Sequence, residues 1–367
     1  MKTHWHRLGG ALASAVLLLF LFACNSNNNT KPVAAAGGAN ANGKELIGAG
    51  STFVYPIMSR WIVDFQAKNP GVQINYQSIG SGGGIQQLSK GLVQFAASDM
   101  AVDDQKAQQI GGGVVQVAES AGPVCITYNL PDLKEPLKLS PASLSGIFLG
   151  TVKTWQDPLI KKDNPGVNLP NTPVAVVHRS DGSGTTNIFT TYLSAVSPKW
   201  KSKVGQGLSV DWPVGLGGKG SEGVTGVVKQ TPGAIGYVEL TYAETNNLPV
   251  ALVQNQAKQY VKPSADSSTA AIDAYSSQLA KDIRTPIVNP PATAKDAYPI
   301  SGLTFLLIPK NESAGPKGED LKKFVGYILQ DGQSIASGMH YSPLPQSVVQ
   351  IDMNLLNQVQ AGSAAGM

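Results

Sequence analysis

The sequence predicts an α/β protein with two domains, and three observations lead to that prediction. Strand-like and helix-like runs alternate along most of the chain, which is typical of α/β organisation. The chain has 367 residues, more than one hydrophobic core usually serves, so two domains are expected. Its composition is 42% hydrophobic and 14% charged, with 40 Gly and 24 Pro. That composition indicates a globular protein with many turns and excludes a disordered or fibrous chain.

The first 23 residues are predicted to be a lipoprotein signal peptide. Lys2 and Arg7 precede an apolar run of 13 residues at 11–23, whereas a helix that spans a bilayer needs about 20. The run ends in Leu21-Phe22-Ala23-Cys24, which resembles the lipobox of bacterial lipoproteins, where the cysteine is acylated. We therefore expect lipidation at Cys24. An ordinary cleaved signal with a chance cysteine is the alternative, and both interpretations predict export.

Residues 24–44 are predicted to form a flexible tether. They are small and polar and have no periodic apolar pattern, so they cannot bury enough surface to become ordered. A flexible coil of about 20 residues reaches on the order of 25 Å. That length is enough to hold a folded body away from a membrane surface.

The cysteine count and the charge balance exclude further classes of protein. If Cys24 is acylated, the one remaining cysteine, Cys125, has no disulfide partner. Its β-rich context indicates a small buried thiol rather than a nucleophile. Without Lys2 and Arg7 the chain has 26 basic and 24 acidic residues, a balance of +2. This weak balance argues against a nucleic-acid-binding surface.

The first elements of the folded part follow in a clear order. A strand-like run at 46–48 is followed by apolar residues at a four-residue spacing, which predicts an amphipathic helix from Phe53 to Phe65. Alternating apolar residues at 72–76 then predict a strand. A glycine-rich turn at 80–84, a short helix at 85–88 and a strand at 95–97 complete this part.

Two later segments continue the α/β alternation. Ser140 followed by Pro141 indicates an N-cap and a proline at the first position of a helix. Residues 173–177, Pro-Val-Ala-Val-Val, form an apolar run that predicts a buried strand leading into a turn and another helix.

Three turns share one design, in which a strand ends in a Gly/Ser/Thr turn and the chain restarts as a helix. The first N–H groups of a helix lack internal partners and lie at the positive end of its dipole. Three such turns that converged would form an anion pocket. For each turn alone, an ordinary N-cap is the alternative. The turns lie at 48–53, 80–84 and 181–186.

Charged residues beside these turns sharpen the prediction of an anion site. Arg179 lies four residues before Ser183, and its guanidinium offers a planar fork of donors that suits an oxyanion. A surface arginine paired with Asp181 is the alternative. Asp99 follows the strand at 95–97, and a carboxylate there suits only an anion that carries a proton to donate. Taken alone, Asp99 is also compatible with a cap or turn residue.

The chain resembles the phosphate-binding proteins of bacterial ABC phosphate importers, the PstS type, over residues 45–349. Any one of the glycine-rich segments that carry the resemblance is unspecific, but their order along the chain is highly specific. They are 48–53 (Gly-Ala-Gly-Ser-Thr-Phe), 76–84 (Tyr-Gln-Ser-Ile-Gly-Ser-Gly-Gly-Gly), 97–99 (Ala-Ser-Asp), 179–185 (Arg-Ser-Asp-Gly-Ser-Gly-Thr), 212–220 (Trp-Pro-Val-Gly-Leu-Gly-Gly-Lys-Gly) and 232–239 (Pro-Gly-Ala-Ile-Gly-Tyr-Val-Glu).

The resemblance implies a two-lobed type II periplasmic binding protein fold with a ligand cleft between the lobes. By similarity, lobe 1 takes residues 45–126 and, after the chain returns, 298–360. Lobe 2 takes 127–297, and 361–367 are a tail. The lobes are expected to be joined by strands that cross between them more than once.

The resemblance also implies which residues bind phosphate. Arg179 supplies the one formal positive charge, Asp99 accepts the proton of a protonated phosphate, and Asp181 pairs with Arg179 and fixes its fork. Val54 and His178 depart from the usual family residues beside the site, but neither change removes a donor. The eight expected contact residues are Thr52, Phe53, Ser81, Asp99, Arg179, Ser183, Gly184 and Thr185.

Selectivity for phosphate over sulfate follows from that assignment. Sulfate has the same shape but carries no proton at neutral pH, so it would place an oxygen lone pair against the Asp99 carboxylate. A buried pair of unmatched acceptors costs several kcal/mol. Selection would then rest on repulsion of the wrong anion.

The expected partners are inorganic phosphate and the permease and ATPase complex of an ABC importer in the inner membrane. No cofactor is expected, because dipoles and one arginine can satisfy a buried anion. We expect a monomer in the periplasm or cell envelope that contacts the membrane through its lipid anchor and binds no nucleic acid.

Two other classes of function remain to be weighed. An enzyme is disfavoured, because neither Ser81 nor Ser183 lies in a G-x-S-x-G motif and Lys219 is followed by Gly rather than the Ser or Thr of a P-loop. After the leader only His178 and His340 remain as histidine bases or metal ligands. A module that binds another macromolecule would use a sizeable apolar or charged surface patch, and a single sequence cannot display such a patch, so this class stays open.

Overall fold

The computed structural model describes residues 45–310 and 316–359. The predicted signal peptide at 1–23, the lipidation site Cys24, the tether at 24–44 and the tail at 361–367 lie outside these residues. Among the described residues, no helix is long and apolar enough to cross a membrane.

The described strands form one large mixed sheet and one small sheet. The large sheet has eight strands in the order β2-β1-β3-β11-β4-β8-β6-β7, and the small one has the order β10-β9-β5. The strands are β1 Glu45–Gly50, β2 Gln73–Ser78, β3 Phe95–Ser98, β4 Val114–Tyr128, β5 Lys138–Leu139, β6 Ala175–Arg179, β7 Leu216–Gly218, β8 Ala234–Glu239, β9 Leu252–Gln254, β10 Tyr260–Val261 and β11 Ser301–Pro309.

Helices alternate with these strands along the described part of the chain. Short 3-10 segments at Asp331–Ile335 and Ser337–Met339 precede the last helix. The helices are α1 Tyr55–Lys68, α2 Ser81–Ser89, α3 Asp104–Gln108, α4 Pro141–Phe148, α5 Pro158–Asp163, α6 Gly184–Val196, α7 Pro198–Lys203, α8 Gly220–Gln230, α9 Leu240–Thr245, α10 Ala265–Ala274, α11 Ser276–Leu279, α12 Pro316–Leu329 and α13 Gln346–Leu356.

Strand β4 joins two halves of the large sheet. Its residues 114–123 pair with β11, and its residues 124–128 pair with β8. We call β2, β1, β3, β11 and residues 114–123 the first half-sheet, and residues 124–128, β8, β6 and β7 the second half-sheet. All of β4 is buried, and one continuous hydrophobic core extends across both half-sheets.

Parallel pairing within each half-sheet sets the position of the functional turns. β1 pairs in parallel with both β2 and β3, and β6 pairs in parallel with β7 and β8. Ligands in such sheets bind beyond the carboxyl ends of the strands. The turns that follow β1, β2, β3, β6 and β7 are therefore the places where a site is expected.

Helix α1 begins two residues later than the apolar spacing predicts. Phe53 and Val54 lie in the turn before the helix, yet both are fully buried. Their apolar spacing reflects this burial rather than helical structure. The next members of the pattern, Ile57, Trp61 and Phe65, do form the buried face of the helix.

The prediction of a glycine-rich turn at 80–84 is wrong, because α2 already begins at Ser81. Only Gly80 has the positive φ, 84°, that a turn requires. Gly82 and Gly84 lie inside the helix, at positions packed too closely for a side chain. A Cβ on Gly84, for example, would lie 2.5 Å from the Ala49 carbonyl oxygen. The glycines thus allow the first turn of α2 to approach the end of β1.

Several other local predictions are confirmed. Ser140 caps α4 by accepting a hydrogen bond from the Ser143 N–H, with Pro141 at the first helical position. Cys125 lies in β4 and is fully buried. Burial raises the pKa of its thiol well above the usual value, which keeps it protonated and unreactive.

Candidate anion-binding site

The eight residues expected to contact an anion all lie at the carboxyl-end turns and are all buried. Thr52 and Phe53 follow β1, Ser81 begins α2 and Asp99 follows β3. In the second half-sheet, Arg179 ends β6, and the remaining three residues form the start of α6. The structure brings residues from distant parts of the chain to one place.

Backbone contacts between the two half-sheets bring the second and third turns together. The Gly82 N–H donates to the Gly182 carbonyl oxygen at 2.9 Å. The Gly184 N–H donates to the Ser81 hydroxyl at 3.1 Å. A Cβ on Gly184 would lie 2.6 Å from both the Ser81 hydroxyl oxygen and the Asp99 Cβ. Glycine is therefore required at position 184 for Ser81, Asp99 and α6 to meet.

Asp99 is surrounded by hydroxyl groups. Its Oδ1 accepts a hydrogen bond from Ser51 Oγ, and its Oδ2 accepts one from Thr185 Oγ1 at 3.2 Å. Burial raises the pKa of Asp99 to about 6, against the opposing effects of Ser51, Arg179 and Thr185. At neutral pH the carboxyl is therefore mostly ionised, and it keeps lone pairs that can accept a further proton donor.

Arg179, which is buried, and Asp181, which is partly buried, form a bidentate ion pair. Arg179 Nε lies 2.8 Å from Asp181 Oδ1, and Nη2 lies 2.6 Å from Oδ2. Although burial opposes it, pairing with Arg179 lowers the pKa of Asp181 below its usual value. The third nitrogen, Nη1, lies 3.5 Å from the Ser221 hydroxyl oxygen. Part of the guanidinium fork therefore stays available for another acceptor.

The backbone at the first turn carries buried donors without partners. Thr52 and Phe53 are at most 2% exposed, and no hydrogen bond among the described residues uses the backbone N–H of either one. Their carbonyl groups, in contrast, accept hydrogen bonds from Tyr242 and Tyr341, each at 2.6 Å. Buried N–H groups are rarely left unpaired in proteins, so this turn is suited to an anionic ligand.

Ser183 also serves as an N-cap, as the alternative interpretation of these turns held. Its hydroxyl accepts a hydrogen bond from the Thr186 N–H at 3.1 Å, and its own N–H donates to the Leu208 carbonyl oxygen at 2.8 Å. The hydroxyl hydrogen is not needed for the cap and can still be donated.

The sequence analysis missed four residues that support this site. Ser51 binds Asp99, and Tyr242 binds the Thr52 carbonyl group. Ser221, at the start of α8, lies 2.8 Å from Thr52 Oγ1 through its own hydroxyl oxygen and so links the two half-sheets. Tyr237 accepts a hydrogen bond from the Arg179 N–H at 3.1 Å. Ser221 had a usable signal, because Lys-Gly-Ser after β7 repeats the strand, glycine and serine design of the other turns.

Comparison with known proteins places this arrangement in a family. Residues 34–331 match the family model of the PBP superfamily domain. The chain is 43% identical over 319 residues to a phosphate-binding protein PstS from Xylella fastidiosa (strain Temecula1), covering 86% of this chain and 84% of that protein.

Solved structures share the fold at low sequence identity. One is a phosphate-binding protein from Stenotrophomonas maltophilia, with a TM-score of 0.61 and 16% identity, covering 84% of this chain and 93% of that one. Another is an ABC-type phosphate transport receptor from Vibrio cholerae, with a TM-score of 0.52 and 18% identity, covering 82% and 100%. The fold is the two-lobed fold of periplasmic binding proteins, and the chain belongs to the PstS family of phosphate-binding proteins within the PBP superfamily.

Proposed function

We propose that this protein binds inorganic phosphate between its lobes and delivers it to the permease of an ABC phosphate importer. The observation that carries the proposal is a buried turn with unpaired N–H groups at Thr52 and Phe53, beside a hydroxyl-bound carboxylate, Asp99, and a buried arginine, Arg179. The relatives described above are named as binding proteins, which agrees with binding rather than catalysis.

Each half of the site supplies different groups to the anion. From the first lobe, the Thr52 and Phe53 N–H groups and the Ser81 hydroxyl donate to the phosphate oxygens. From the second lobe, the Ser183 hydroxyl and the Thr185 N–H donate from the start of α6, and Arg179 donates from its fork. The Gly184 N–H would exchange its acceptor, the Ser81 hydroxyl, for the anion. The buried anion is satisfied by donors alone, which requires no metal or other cofactor.

Closure of the lobes would couple binding to transport. The phosphate contacts both lobes at once, so it stabilises the closed form over the open one. The switch of β4 from β11 to β8 at Val124 supports lobe boundaries near residues 126 and 298. The closed, loaded form is the one that the permease and ATPase complex would receive.

Asp99 gives the site its selectivity. An ionised Asp99 accepts a hydrogen bond from the proton of bound phosphate. Sulfate lacks that proton at neutral pH and would set two acceptors against each other in a buried place. The hydroxyl groups of Ser51 and Thr185 hold the carboxylate, which favours its ionised form.

The cellular setting of the proposal rests on the sequence. A signal peptide at 1–23, acylation of Cys24 and a tether at 24–44 would hold a monomeric binding protein at the membrane in the periplasm or cell envelope. Radiolabelled palmitate incorporated by the parent but not by Cys24→Ser would support the anchor.

A calorimetric titration tests the proposed function. The protein is stripped of bound ligand by reversible unfolding and titrated at neutral pH with phosphate and then with sulfate. We expect one phosphate per chain and no competition from sulfate. Equal binding of both anions would indicate a general oxyanion receptor, and no heat with either would refute phosphate as the ligand.

A further inference from the structure

Tyr341 contacts the first turn of the candidate site but is not among the proposed phosphate contacts. It is 0% exposed, and its hydroxyl donates to the Phe53 carbonyl oxygen at 2.6 Å. The two aromatic rings meet edge to face, with centroids 5.9 Å apart. The same hydroxyl lies 3.2 Å from Glu239 Oε2, so its single proton is shared in a three-centre hydrogen bond whose shorter branch goes to Phe53.

Tyr341 lies at the point where β4 passes from the first half-sheet to the second. Glu239, the other acceptor of its hydroxyl, is on β8 and pairs with Val124 of β4. A Cβ on Gly122 of β4 would lie 3.1 Å from the Phe53 ring and 3.7 Å from the Tyr341 ring. Glycine at this position therefore leaves room for both rings beside the strand.

Further hydrogen bonds fix Tyr341 and Glu239 in place. Glu239 Oε2 also accepts a hydrogen bond from the Thr241 N–H at 2.8 Å, at the start of α9. Ser342, which follows Tyr341, donates its N–H to the Ala121 carbonyl oxygen of β4 at 2.9 Å. The position of the Tyr341 hydroxyl is therefore set by elements other than the turn that it contacts.

The contact with Phe53 fixes the orientation of a whole peptide group. A peptide unit is planar and trans, so its C=O and N–H point in opposite directions. Because Tyr341 holds the Phe53 carbonyl group, the Val54 N–H is aimed away from Tyr341. That N–H donates to Ser51 Oγ at 3.4 Å. The distance is long for a hydrogen bond, but the contact makes Ser51 Oγ an acceptor on that side.

Ser51 passes this orientation on to Asp99. A serine hydroxyl has one proton and two lone pairs, and the Val54 N–H occupies one of the lone pairs. The Ser51 proton is donated to Asp99 Oδ1, and both residues are buried. A chain of hydrogen bonds therefore runs from Tyr341 through one peptide group and Ser51 to the Asp99 carboxylate.

We propose that Tyr341 is a positioning residue for phosphate binding: by holding the Phe53–Val54 peptide group, it directs the Ser51 proton to the carboxylate that accepts the protonated oxygen of phosphate. This inference rests on the proposed function. The Phe53 N–H belongs to the preceding peptide group, whose carbonyl Tyr242 holds, so the action of Tyr341 runs through Ser51. The side chains of Tyr341 and Ser51 should therefore contribute to phosphate affinity as one unit.

A double-mutant cycle on phosphate dissociation constants tests this proposal. Tyr341→Phe removes the hydroxyl that begins the chain, and Ser51→Ala removes the hydroxyl that ends it. We expect each single variant to bind phosphate about fivefold more weakly than the parent at neutral pH, and the double variant to lose about fivefold as well. A loss of about 10-fold or more in the double variant would show that the two hydroxyls act independently and would overturn the proposal.

Amide NMR spectra of the ¹⁵N-labelled parent provide a second measurement, which needs no variant. Phosphate should shift the Phe53 amide proton strongly downfield, because this N–H is proposed to donate to the anion. The Val54 amide proton should shift far less, because Ser51 already accepts its hydrogen bond. A Val54 shift as large as that of Phe53 would show that the Val54 N–H leaves Ser51 for the anion, and this result would overturn the proposal.

Tyr298→Phe is the matched control for Tyr341→Phe. Tyr298 is also 0% exposed, and its hydroxyl donates to the Val124 carbonyl oxygen of β4 at 3.2 Å, outside the candidate site. We expect its phosphate affinity to stay within about twofold of the parent. A loss in Tyr341→Phe no larger than that in Tyr298→Phe would overturn the proposal. Failure of the parent itself to bind phosphate would instead refute the proposed function.

Discussion

The two carboxylates of the site, Asp99 and Asp181, lie in contrasting surroundings. Asp99 follows β3 in the first half-sheet, accepts hydrogen bonds from Ser51 and Thr185, and has a pKa raised to about 6 by burial. Asp181 follows β6 in the second half-sheet, pairs with Arg179 through two hydrogen bonds and accepts another from the Gly220 N–H at 3.0 Å. Its pKa is lowered below the usual value.

The difference shows how partners assign separate tasks to one residue type. Hydroxyl groups leave Asp99 able to accept a further proton donor, whereas the ion pair uses Asp181 to fix and neutralise Arg179. Arg179, Asp99 and Asp181, when ionised, sum to a negative charge. An anion bound as we propose would therefore be held by backbone dipoles and oriented hydrogen bonds, and not by net positive charge.

Removal of Arg179, the cation that pairs with Asp181, should have the largest effect on phosphate affinity. Arg179→Ala removes the cation and leaves the partly buried Asp181 with only the Gly220 N–H as a donor, and we expect phosphate affinity to fall about 100-fold or more, equivalent to about 3 kcal/mol. Thr186→Ala removes a hydroxyl that contacts Tyr237 and should change affinity by less than about threefold. Calorimetric titration of both variants measures the difference.

A double variant tests whether the affinity lost in Arg179→Ala comes from the unpaired Asp181 charge or from loss of the fold. Arg179→Ala combined with Asp181→Asn should recover part of the lost affinity, because the unpaired charge is also removed. No recovery in a variant that remains folded by circular dichroism would contradict the role assigned to Asp181.

A change on the Asp99 side should alter selectivity more than affinity. Asp99→Asn keeps the shape and adds a donor, so sulfate no longer meets a carboxylate. We expect the ratio of phosphate affinity to sulfate affinity to fall by about 10-fold or more, as measured by competition at neutral pH. A variant that rejects sulfate as strongly as the parent would refute the account of selectivity.

In the parent protein, protonation of Asp99 at low pH should also weaken the rejection of sulfate. The pKa of Asp99 is about 6, so its carboxyl takes up a proton as the pH falls through that value. A protonated carboxyl can donate to a sulfate oxygen, and sulfate should therefore bind about fivefold more tightly at about pH 5 than at about pH 7.5. Sulfate titrations at both pH values test this effect. Asp99→Asn should lack the change, and a parent profile that is equally flat would contradict it.

A further effect, also about fivefold, concerns a contact that links the two sides. Tyr242 of α9, which follows β8 of the second half-sheet, donates to the carbonyl group of Thr52, which follows β1 of the first half-sheet. Tyr242→Phe should therefore weaken phosphate binding about fivefold, equivalent to about 1 kcal/mol. Tyr260→Phe is the control, because its hydroxyl donates at 2.9 Å to Asp163, a residue outside the candidate site. The control should leave phosphate affinity unchanged; equal losses in both variants would show that Tyr242 does not act on closure.

Much of the site could be predicted because its residues lie in turns with a distinctive local chemistry. Glycine, serine and threonine after a strand indicate exposed helix N-termini, and the order of these turns identified the family. The α/β alternation and the Ser140 cap depend on short-range periodicity and local hydrogen bonds, which a sequence displays directly.

The remaining features depend on contacts between distant segments. Gly82 and Gly84 were assigned to a turn because their packing against Gly182 and Ala49 cannot be read from the local sequence. Ser221 and Tyr242 act on Thr52, which lies 169 and 190 residues away. The Tyr341 contact with Phe53 likewise joins residues that lie far apart in the chain.

The central claim is that Asp99 stays ionised in the complex and accepts a hydrogen bond from the protonated oxygen of bound phosphate. Infrared difference spectra between the phosphate-bound and phosphate-free protein at neutral pH test it directly, with Asp99→Asn used to assign the Asp99 bands. The account predicts that the bands assigned to Asp99 in the complex are those of a carboxylate. A protonated-carboxyl band that is present in the complex and absent from the Asp99→Asn spectrum would contradict it.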